Sequence, residues 1–161
     1  MDDILEILIQ DARKSPAEIA EMTGKSEEEV IDIIAGHEKR GTILKYRAVL
    51  NPEHIAEADG AVRAWIEVSI TPQRGAGFDS IAERVYKFSE VKSCYLLSGG
   101  FDLLLLVEGH SLQEVAGFVS EKLSTLENVT ATSTHFLLKV YKENGDIFQN
   151  SGKSERLAIS L

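Results

Sequence analysis

The stretch from Val91 to Gly109, VKSCYLLSGGFDLLLLVEG, constrains the fold more than any other part of the sequence. Two short apolar runs flank Ser-Gly-Gly-Phe-Asp at 98–102, which is the pattern of a β-hairpin. We expect its two glycines to be required for the bend, because they adopt backbone angles closed to other residues. The run from Leu103 to Val107 suits a strand covered on both faces and is too short to span a membrane. Because a hairpin this apolar is unstable alone in water, the rest of the chain must cover it.

Length and composition limit the class of protein. The 161 residues leave room for one large domain or two small ones, and no apolar run approaches the roughly 20 residues of a membrane helix. The N-terminus lacks a signal-peptide pattern, so we expect a cytoplasmic protein without a membrane partner. The single cysteine, Cys94, excludes an internal disulfide and a multi-cysteine metal site, and we expect it to be a small buried hydrophobe. A net charge of −9 argues against a basic surface that binds nucleic acid indiscriminately.

Residues 1–40 predict three helices. Ser15 with Glu18, and Ser26 with Glu29, are capping-box patterns at the starts of the second and third helices. The short turn at 22–25 between these helices is typical of a helix-turn-helix, and a bundle used only for protein contacts is the alternative. The expected core places Ile19, Val30 and Ile33 or Ile34 against Leu5 and Leu8. The alternating residues 42–50 predict a strand or wing.

A second domain begins near Ala61, where the hydrophobic period changes from that of helices to that of strands. The predicted order is strand, helix, strand, strand, helix, strand, with the helices at 78–85 and 111–126 and the last strand at 129–141. This is the ferredoxin-like βαββαβ arrangement, in which two helices cover one face of a four-stranded antiparallel sheet. The fold class is therefore α+β. The expected domains are 1–50 (winged helix-turn-helix), 51–60 (linker), 61–142 (ferredoxin-like) and 143–161 (a C-terminal tail, mobile or adding a strand).

The sheet face that the helices leave open carries apolar residues in either register of the hairpin. One register exposes Cys94, Leu96, Leu104 and Leu106, and the other exposes Tyr95, Leu97, Leu103 and Leu105. Apolar groups on an open sheet face predict burial against another subunit. We therefore expect a homodimer.

Several stretches, taken in order, resemble the Lrp/AsnC family of transcription regulators over about residues 1–142. The stretches that carry the resemblance are Ser15–Ala20, Gly24–Ser26 with Val30, Gly41–Ala48, Ser98–Leu103, and Thr132–Thr134 with Lys139. The resemblance implies a winged helix-turn-helix that inserts its third helix into the DNA major groove. It also implies a C-terminal domain that dimerises through its sheet, often assembles further, and binds amino acids or similar small molecules between subunits.

The expected DNA contacts combine basic groups with an unusually acidic third helix. Glu27, Glu28, Glu29 and Asp32 stand where the family usually has basic or neutral polar residues, Ile33 where an Arg is common, and His37 where a Leu is common. Carboxylates oppose binding to phosphates, although they can accept a hydrogen bond from cytosine N4. Stabilisation of the helix N-terminus is the simpler explanation for the three glutamates. The candidate contacts to double-stranded DNA are Arg13, Lys14, Lys25, Ser26, Glu27, Glu28, Lys39, Arg40, Lys45 and Arg47.

The resemblance places an effector site around the hairpin turn. Its candidate residues are Ser98, Gly99, Gly100 and Asp102, with Thr132 and Thr134 on the last strand. Glycine amides suit a carboxylate and Asp102 suits an α-ammonium, a pairing that fits an amino acid. The alternative is that Asp102 only closes the turn. Arg74, in the loop after the first strand, is a further candidate for an anion contact.

Two other function classes stand beside the regulator. Some relatives of this architecture decarboxylate siroheme, but the four histidines (His37, His54, His110 and His135) show neither metal-ligand spacing nor a nucleophile pair. We therefore expect no catalytic residues, no metal and no cofactor, with His135 the first residue to check. The other alternative is an effector-binding module that does not bind DNA and whose acidic helices contact another protein.

Overall fold

A computed structural model describes residues 2–51, 60–71 and 77–148. The chain divides into two compact units, residues 1–50 and residues 51–161. The proposed linker at 52–59 (with His54), the loop at 72–76 (with Arg74) and the tail from 149 onward lie outside the described residues.

The first unit contains the three predicted helices, α1 (Asp3–Gln10), α2 (Pro16–Thr23) and α3 (Glu27–Lys39). Both capping boxes are formed: the Ser15 and Ser26 hydroxyls accept from the amides of Glu18 and Glu29, whose carboxylates accept in return from the serine amides. α2 ends at Gly24, whose φ of 70° lies in the left-handed region that favours glycine. Local side-chain bonds therefore define where these helices begin.

A small core joins the three helices. Ile4, Ile19, Ala20 and Val30 are buried, with Ile7, Leu8, Ile33 and Ile34 packed around them. Ile4 takes the central position expected of Leu5, because the inner face of α1 carries residues 4, 7 and 8 at helical spacing. The expected packing of Ile19 and Val30 is confirmed.

The strand expected over residues 42–50 is wrong for the single chain. Residues 44–51 have no regular secondary structure, and Leu44 is 88% exposed. A strand satisfies its amides and carbonyls through a neighbouring strand, and the described part of the first unit contains none. The segment therefore leaves apolar side chains, including Tyr46, Val49 and Leu50, exposed.

The second unit has the predicted ferredoxin-like architecture. Its strands are β1 (Val62–Ile70), β2 (Val91–Leu96), β3 (Leu103–Gly109) and β4 (Val129–Phe136), and its helices are α4 (Asp79–Val85) and α5 (Leu112–Gly117). The four strands form an antiparallel sheet in the order β2-β3-β1-β4. One face packs against the helices in a core that includes Ile66, Leu105 and Phe118.

Three details differ from the sequence prediction. The second helix continues from α5 as a π-helical segment, Phe118–Leu123. β4 stops at Phe136 rather than at residue 141. The expected start of the tail instead includes a short hairpin of β5 (Lys142–Glu143) and β6 (Asp146–Ile147), which turns through left-handed residues at 144 and 145.

Neither register expected for the central hairpin is correct as a whole. Tyr95 pairs with Leu104, and Cys94 with Leu105. Even-numbered residues of β2 therefore lie on the same face of the sheet as odd-numbered residues of β3. Each expected set had instead placed residues that were all even-numbered, or all odd-numbered, on one face. The open face carries Tyr95, Leu104 and Leu106. Cys94 is half-buried on the helix side, where burial raises the pKa of its thiol.

Candidate DNA interface and effector site

The acidic start of α3 separates into two kinds of carboxylate. Glu29 belongs to the capping box: its Oε2 lies 2.9 Å from the Ser26 amide nitrogen and 3.0 Å from the Ser26 hydroxyl. These hydrogen bonds lower the pKa of Glu29, the backbone one contributing most. The carboxylates of Glu27, Glu28 and Asp32 are exposed and form no hydrogen bond or ion pair with the described residues. Only one of the three consecutive glutamates is therefore committed to the helix start.

The basic candidates lie at three places in the first unit. Arg13 and Lys14 precede α2, and Lys14 Nζ lies 3.4 Å from Glu18 Oε1 in an exposed pair of little energetic weight. Lys25 lies in the turn before α3. At the end of α3 and beyond it are Lys39, Arg40, Lys45 and Arg47, all exposed.

Sequence reasoning did not identify His37 as a functional candidate, yet it is the buried polar residue of the first unit, with 8% of its surface exposed. Its Nε2 lies 3.2 Å from Asp2 Oδ2, and its Nδ1 lies 3.3 Å from Arg40 Nη2. The pKa of Asp2 is lowered, first by the Ile4 amide and then by His37. The departure from the family's usual leucine was the available sequence signal.

One hydrogen bond closes the β2–β3 turn, and two more attach it to β1. The Leu97 amide donates to the Asp102 carbonyl (2.9 Å), and the Asp102 amide donates to the Val68 carbonyl (3.0 Å). The Asp102 side chain accepts from the Ile70 amide at 2.7 Å, next to an irregularity in the β1–β4 pairing. Asp102 therefore has a structural role in closing the turn onto β1, as the alternative interpretation expected.

The glycines of this turn do not have the role predicted for them. Gly99 and Gly100 both lie outside the left-handed φ region, and a Cβ built on either meets nothing within 4 Å. The bend is instead stabilised by the Leu97 and Asp102 hydrogen bonds. Within the single chain, neither a backbone angle nor a packed neighbour requires glycine at these exposed positions.

The two candidate threonines lie apart from the turn. Thr132 pairs with Val68 and Thr134 with Ile66, so both are on the helix side of the edge strand β4. Because β1 separates β4 from β3, Thr132 is about 10 Å from the β3 end of the turn. One chain thus brings Ser98, Gly99, Gly100 and Asp102 together but does not bring the threonines to them.

A shallow cleft of about 280 Å³ occupies the opposite end of the sheet. Its lining includes Glu90, Glu108 and Glu114 against Lys92. Glu90 forms an ion pair with Lys122, which lowers the pKa of that carboxyl. An acidic lining repels the carboxylate of an amino acid, so this cleft does not suit the expected effector.

The open face of the sheet presents two rows of side chains across the four strands. Register places Tyr95, Leu104, Glu67 and Ser133 in one row and Ser93, Leu106, Trp65 and His135 in the next. The Trp65 and Tyr95 rings are 6.4 Å apart. Aromatic and aliphatic groups therefore form the centre of this face.

His135 does not form a catalytic triad with its neighbours. Its Nε2 lies 3.3 Å from Glu67 Oε1 and 3.3 Å from Ser133 Oγ, so both partners meet the same ring nitrogen. A triad requires the nucleophile and the orienting carboxylate on different nitrogens. Residues 2–51, 60–71 and 77–148 contain no cluster of three or more potential metal ligands. None of the helices in these ranges is long and apolar enough to cross a membrane.

Comparison with known proteins decides the family. Residues 63–147 match the model of the Lrp/AsnC ligand binding domain. The chain belongs to the Lrp/AsnC family of transcription regulators. It is 44% identical over 158 residues to YugG, an HTH-type transcriptional regulator of Bacillus subtilis, covering 98% of this chain and 95% of that protein.

Two further Lrp/AsnC relatives carry more specific names. The proline dehydrogenase transcriptional activator of Rhodobacter capsulatus is 33% identical, covering 87% of this chain and 89% of the relative. The structure of a Neisseria meningitidis transcriptional regulator in complex with L-methionine is 28% identical with a TM-score of 0.70, covering 88% and 89% of the two chains. The fold and the regulator class predicted from the sequence are confirmed.

Proposed function

We propose that this Lrp/AsnC protein binds double-stranded DNA sequence-specifically as a homodimer, and that an amino acid or a related small molecule modulates its assembly or DNA affinity. The observation that carries this proposal is the pairing of a helix-turn-helix unit with a ferredoxin-like unit whose open sheet face is apolar. The protein then acts in the cytoplasm, where its DNA is.

The proposed DNA interface is the exposed side of α3 with the flanking basic groups. Lys25 and Ser26 lie at the start of α3, and Arg13 and Lys14 precede α2. Lys39, Lys45 and Arg47 supply further contacts to phosphate oxygens. Glu27 and Glu28, whose carboxylates are unpaired among the described residues, face the groove and accept from cytosine N4. Arg40 is engaged by His37 in the free chain.

The proposed dimer interface is the open sheet face. Tyr95 is 52% exposed on a face that also carries Trp65, Leu104 and Leu106. Trp65 and Leu104 are partly exposed, whereas Leu106 is 9% exposed within the single chain. A patch of aromatic and aliphatic groups on one face favours association with a second copy. Two copies present two α3 helices, which read half-sites about one DNA turn apart. Association of these dimers through a second surface would give a larger homo-oligomer.

The proposed effector site is the turn of Ser98, Gly99, Gly100 and Asp102, completed between subunits by Thr132 and Thr134. The turn glycines are exposed, and neither a packed neighbour nor a left-handed φ requires glycine there. A carboxylate can therefore approach their amides closely. The Asp102 carboxylate accepts from Ile70 and has a second oxygen for an ammonium group. Because the threonines lie about two strands away in one chain, the site requires a second subunit.

Selection of DNA fragments by the purified full-length protein tests the function. We expect enrichment of a motif with dyad symmetry at about 0.1 M salt. An amino-acid panel beginning with methionine should then change operator affinity or assembly. Charge reversal at Lys45 and Arg47 should weaken binding and reduce its salt slope by roughly one per lost phosphate contact. An unchanged slope would remove this segment from the interface.

DNA selection and a tetrapyrrole-binding measurement together separate the regulator from the two other function classes. Absence of any enriched motif, with or without the panel, would favour an effector-binding module whose acidic α3 contacts a protein. A change in tetrapyrrole absorbance on mixing would point to an enzyme of the siroheme type. The shared contact of Glu67 and Ser133 with one nitrogen of His135 gives no support to nucleophilic catalysis.

A further inference from the structure

The end of α3 contains a polar network around the buried His37 that the function proposed above does not use. The two ring nitrogens of His37 have different partners. Nε2 lies 3.2 Å from Asp2 Oδ2, and Nδ1 lies 3.3 Å from Arg40 Nη2. We propose that His37 is a positioning residue for DNA binding: its neutral ring holds Arg40 against α3, and its protonation releases Arg40 to a DNA phosphate. This inference rests on the proposed DNA-binding function.

The two contacts specify one form of the imidazole. An arginine guanidinium has only donors, so the His37 Nδ1 that meets Arg40 must be an unprotonated acceptor. An ionised aspartate has only acceptors, so the Nε2 that meets Asp2 must carry the hydrogen. The neutral Nε2–H tautomer satisfies both neighbours. The other neutral tautomer satisfies neither.

Gly36 makes room for the held arginine. A Cβ built at this position would lie 3.2 Å from Arg40 Nη1, so the guanidinium occupies the space beside the glycine. Glycine inside a helix costs about 1 kcal/mol relative to alanine. No left-handed backbone angle requires Gly36. The close approach of Arg40 is the feature of the structure that accounts for a glycine at this point in α3.

Protonation of His37 breaks one side of the network and strengthens the other. An N–H at Nδ1 would point at the N–H groups of a cation, so the Arg40 contact is lost. The Asp2 contact becomes an ion pair. The charged groups that face the ring are Asp2 from the start of α1 and Arg40 from the end of α3, with Lys25 acting on Asp2. Histidine is the side chain best suited to a pH-dependent release of this kind.

The released arginine is well placed to gain affinity for DNA. Arg40 is the C-cap residue of α3 and is exposed as a residue, next to Lys39 and in the same unit as Lys45. One additional phosphate contact steepens the salt slope by about 0.9, which corresponds to up to about eightfold tighter binding at 0.1 M salt. Lower pH therefore strengthens DNA binding by each recognition helix.

The test compares operator affinity and salt slope at pH 7.5 and 5.5 for the full-length protein, using a DNA fragment that the protein itself selects. We expect wild type to bind about 5- to 8-fold tighter per recognition helix at the lower pH. His37→Gln and Arg40→Gln should each abolish most of this gain. His110→Gln, which changes an exposed histidine of the second unit, should retain it as the matched control.

Gly36→Ala provides a variant that does not depend on the fold tolerating a buried change. The added Cβ requires the flexible end of Arg40 to shift by a few tenths of an ångström, and alanine favours the helix. At pH 7.5 this variant should bind DNA more tightly than wild type does at the same pH, because the shifted guanidinium makes a weaker contact with His37. Equal affinity of Gly36→Ala and wild type at pH 7.5, or a pH gain that survives in His37→Gln, would overturn the proposal.

A measurement without DNA separates failure of this inference from failure of the proposed function. Nitrogen-15 NMR of the histidine rings at pH 7.5 should show His37 as the Nε2–H tautomer. A protonated Nδ1 would overturn the network even if the protein binds DNA. The expected tautomer together with no DNA binding at either pH would contradict the proposed function and, with it, the role of His37 in DNA binding.

Discussion

The two units of the chain differ in the size of their apolar cores and in the apolar surface that they leave uncovered. The first unit has four buried core residues and closes its helix starts with Asp2, Ser15 and Ser26. The described residues of the second unit include thirteen that are buried in the core between the sheet and its helices, and they leave the other sheet face open. The small unit therefore depends on polar bonds made within the chain. The large unit has a strong core and one apolar surface that a single chain does not cover.

Because of this contrast, we expect the stability of the two units to respond to different kinds of mutation. A domain of about 50 residues buries a smaller fraction of its surface than a larger domain does, so individual caps and hydrogen bonds form a large part of its net stability. In the second unit the same changes matter less than loss of apolar volume. Variants that affect one unit and spare the other test the contrast.

The largest expected effect comes from the two faces of β3. Leu105 is fully buried among the helices, whereas Leu104 lies on the open face. Leu105→Ala should lower the free energy of unfolding of the second unit by about 2–5 kcal/mol, through lost transfer energy and a cavity. Leu104→Ala should cost far less in a dilute monomer. Equal losses in denaturant unfolding of the two variants would remove the distinction between the faces.

The helix caps should show a smaller effect, confined to the first unit. Ser26→Ala removes the hydroxyl that accepts from the Glu29 amide, which should cost about 1 kcal/mol. Ser120→Ala is the control, because the Ser120 hydroxyl only donates to the Gly117 carbonyl, at 3.3 Å. Hydrogen exchange resolved by residue measures both units in one sample. Loss of protection in the sheet of Ser26→Ala would contradict the separation.

Acid should destabilise the first unit through Asp2. Folding lowers the pKa of Asp2, chiefly through the Ile4 amide, so its contribution is present above the ordinary value of 3.8 and disappears as pH falls through the lower folded pKa. The effect should be smaller than that of a cap deletion, because the side chain is 36% exposed. Asp2→Asn retains a good cap and should reduce the acid dependence of the unit's unfolding, leaving the part due to the capping-box glutamates Glu18 and Glu29. The same acid dependence in Asp2→Asn would assign it to another carboxylate.

The smallest effect on stability is expected at the hairpin turn. Gly99→Ala adds a Cβ that meets nothing, at a position outside the left-handed region, so unfolding should change by less than about 0.5 kcal/mol. The same change should weaken binding of an amino-acid effector, because the methyl group obstructs approach to the amide. Calorimetric titration together with thermal unfolding measures both. A large loss of stability would show that the turn itself requires glycine at position 99.

What could be predicted from the sequence depended on the distance between interacting residues. The capping boxes at Ser15 and Ser26 were predictable because their partners lie three residues away. The buried face of β1 followed from simple alternation of residue type. Residues 44–50 are not the strand that their alternation predicts, because alternation does not reveal whether a neighbouring strand is present.

Longer-range relations were not predictable. Pairing of Tyr95 with Leu104 depends on the geometry of the intervening turn, which shifts the parity of the register. The His37–Asp2 contact joins residues 35 positions apart, and no local pattern marks it. The effector residues came from the family resemblance, and the separation of Thr132 from the turn became visible only in the sheet order.

The association state of the full-length protein tests the central claim most directly, namely that a second copy covers the open sheet face. Sedimentation equilibrium at micromolar concentration should give wild type at least twice the 17.7 kDa mass of one chain. Leu104→Glu, which places a carboxylate beside Glu67 on that face, should sediment at the mass of one chain with its fold intact. A wild-type protein that sediments as a single chain, or a Leu104→Glu variant that associates as wild type does, would contradict the account.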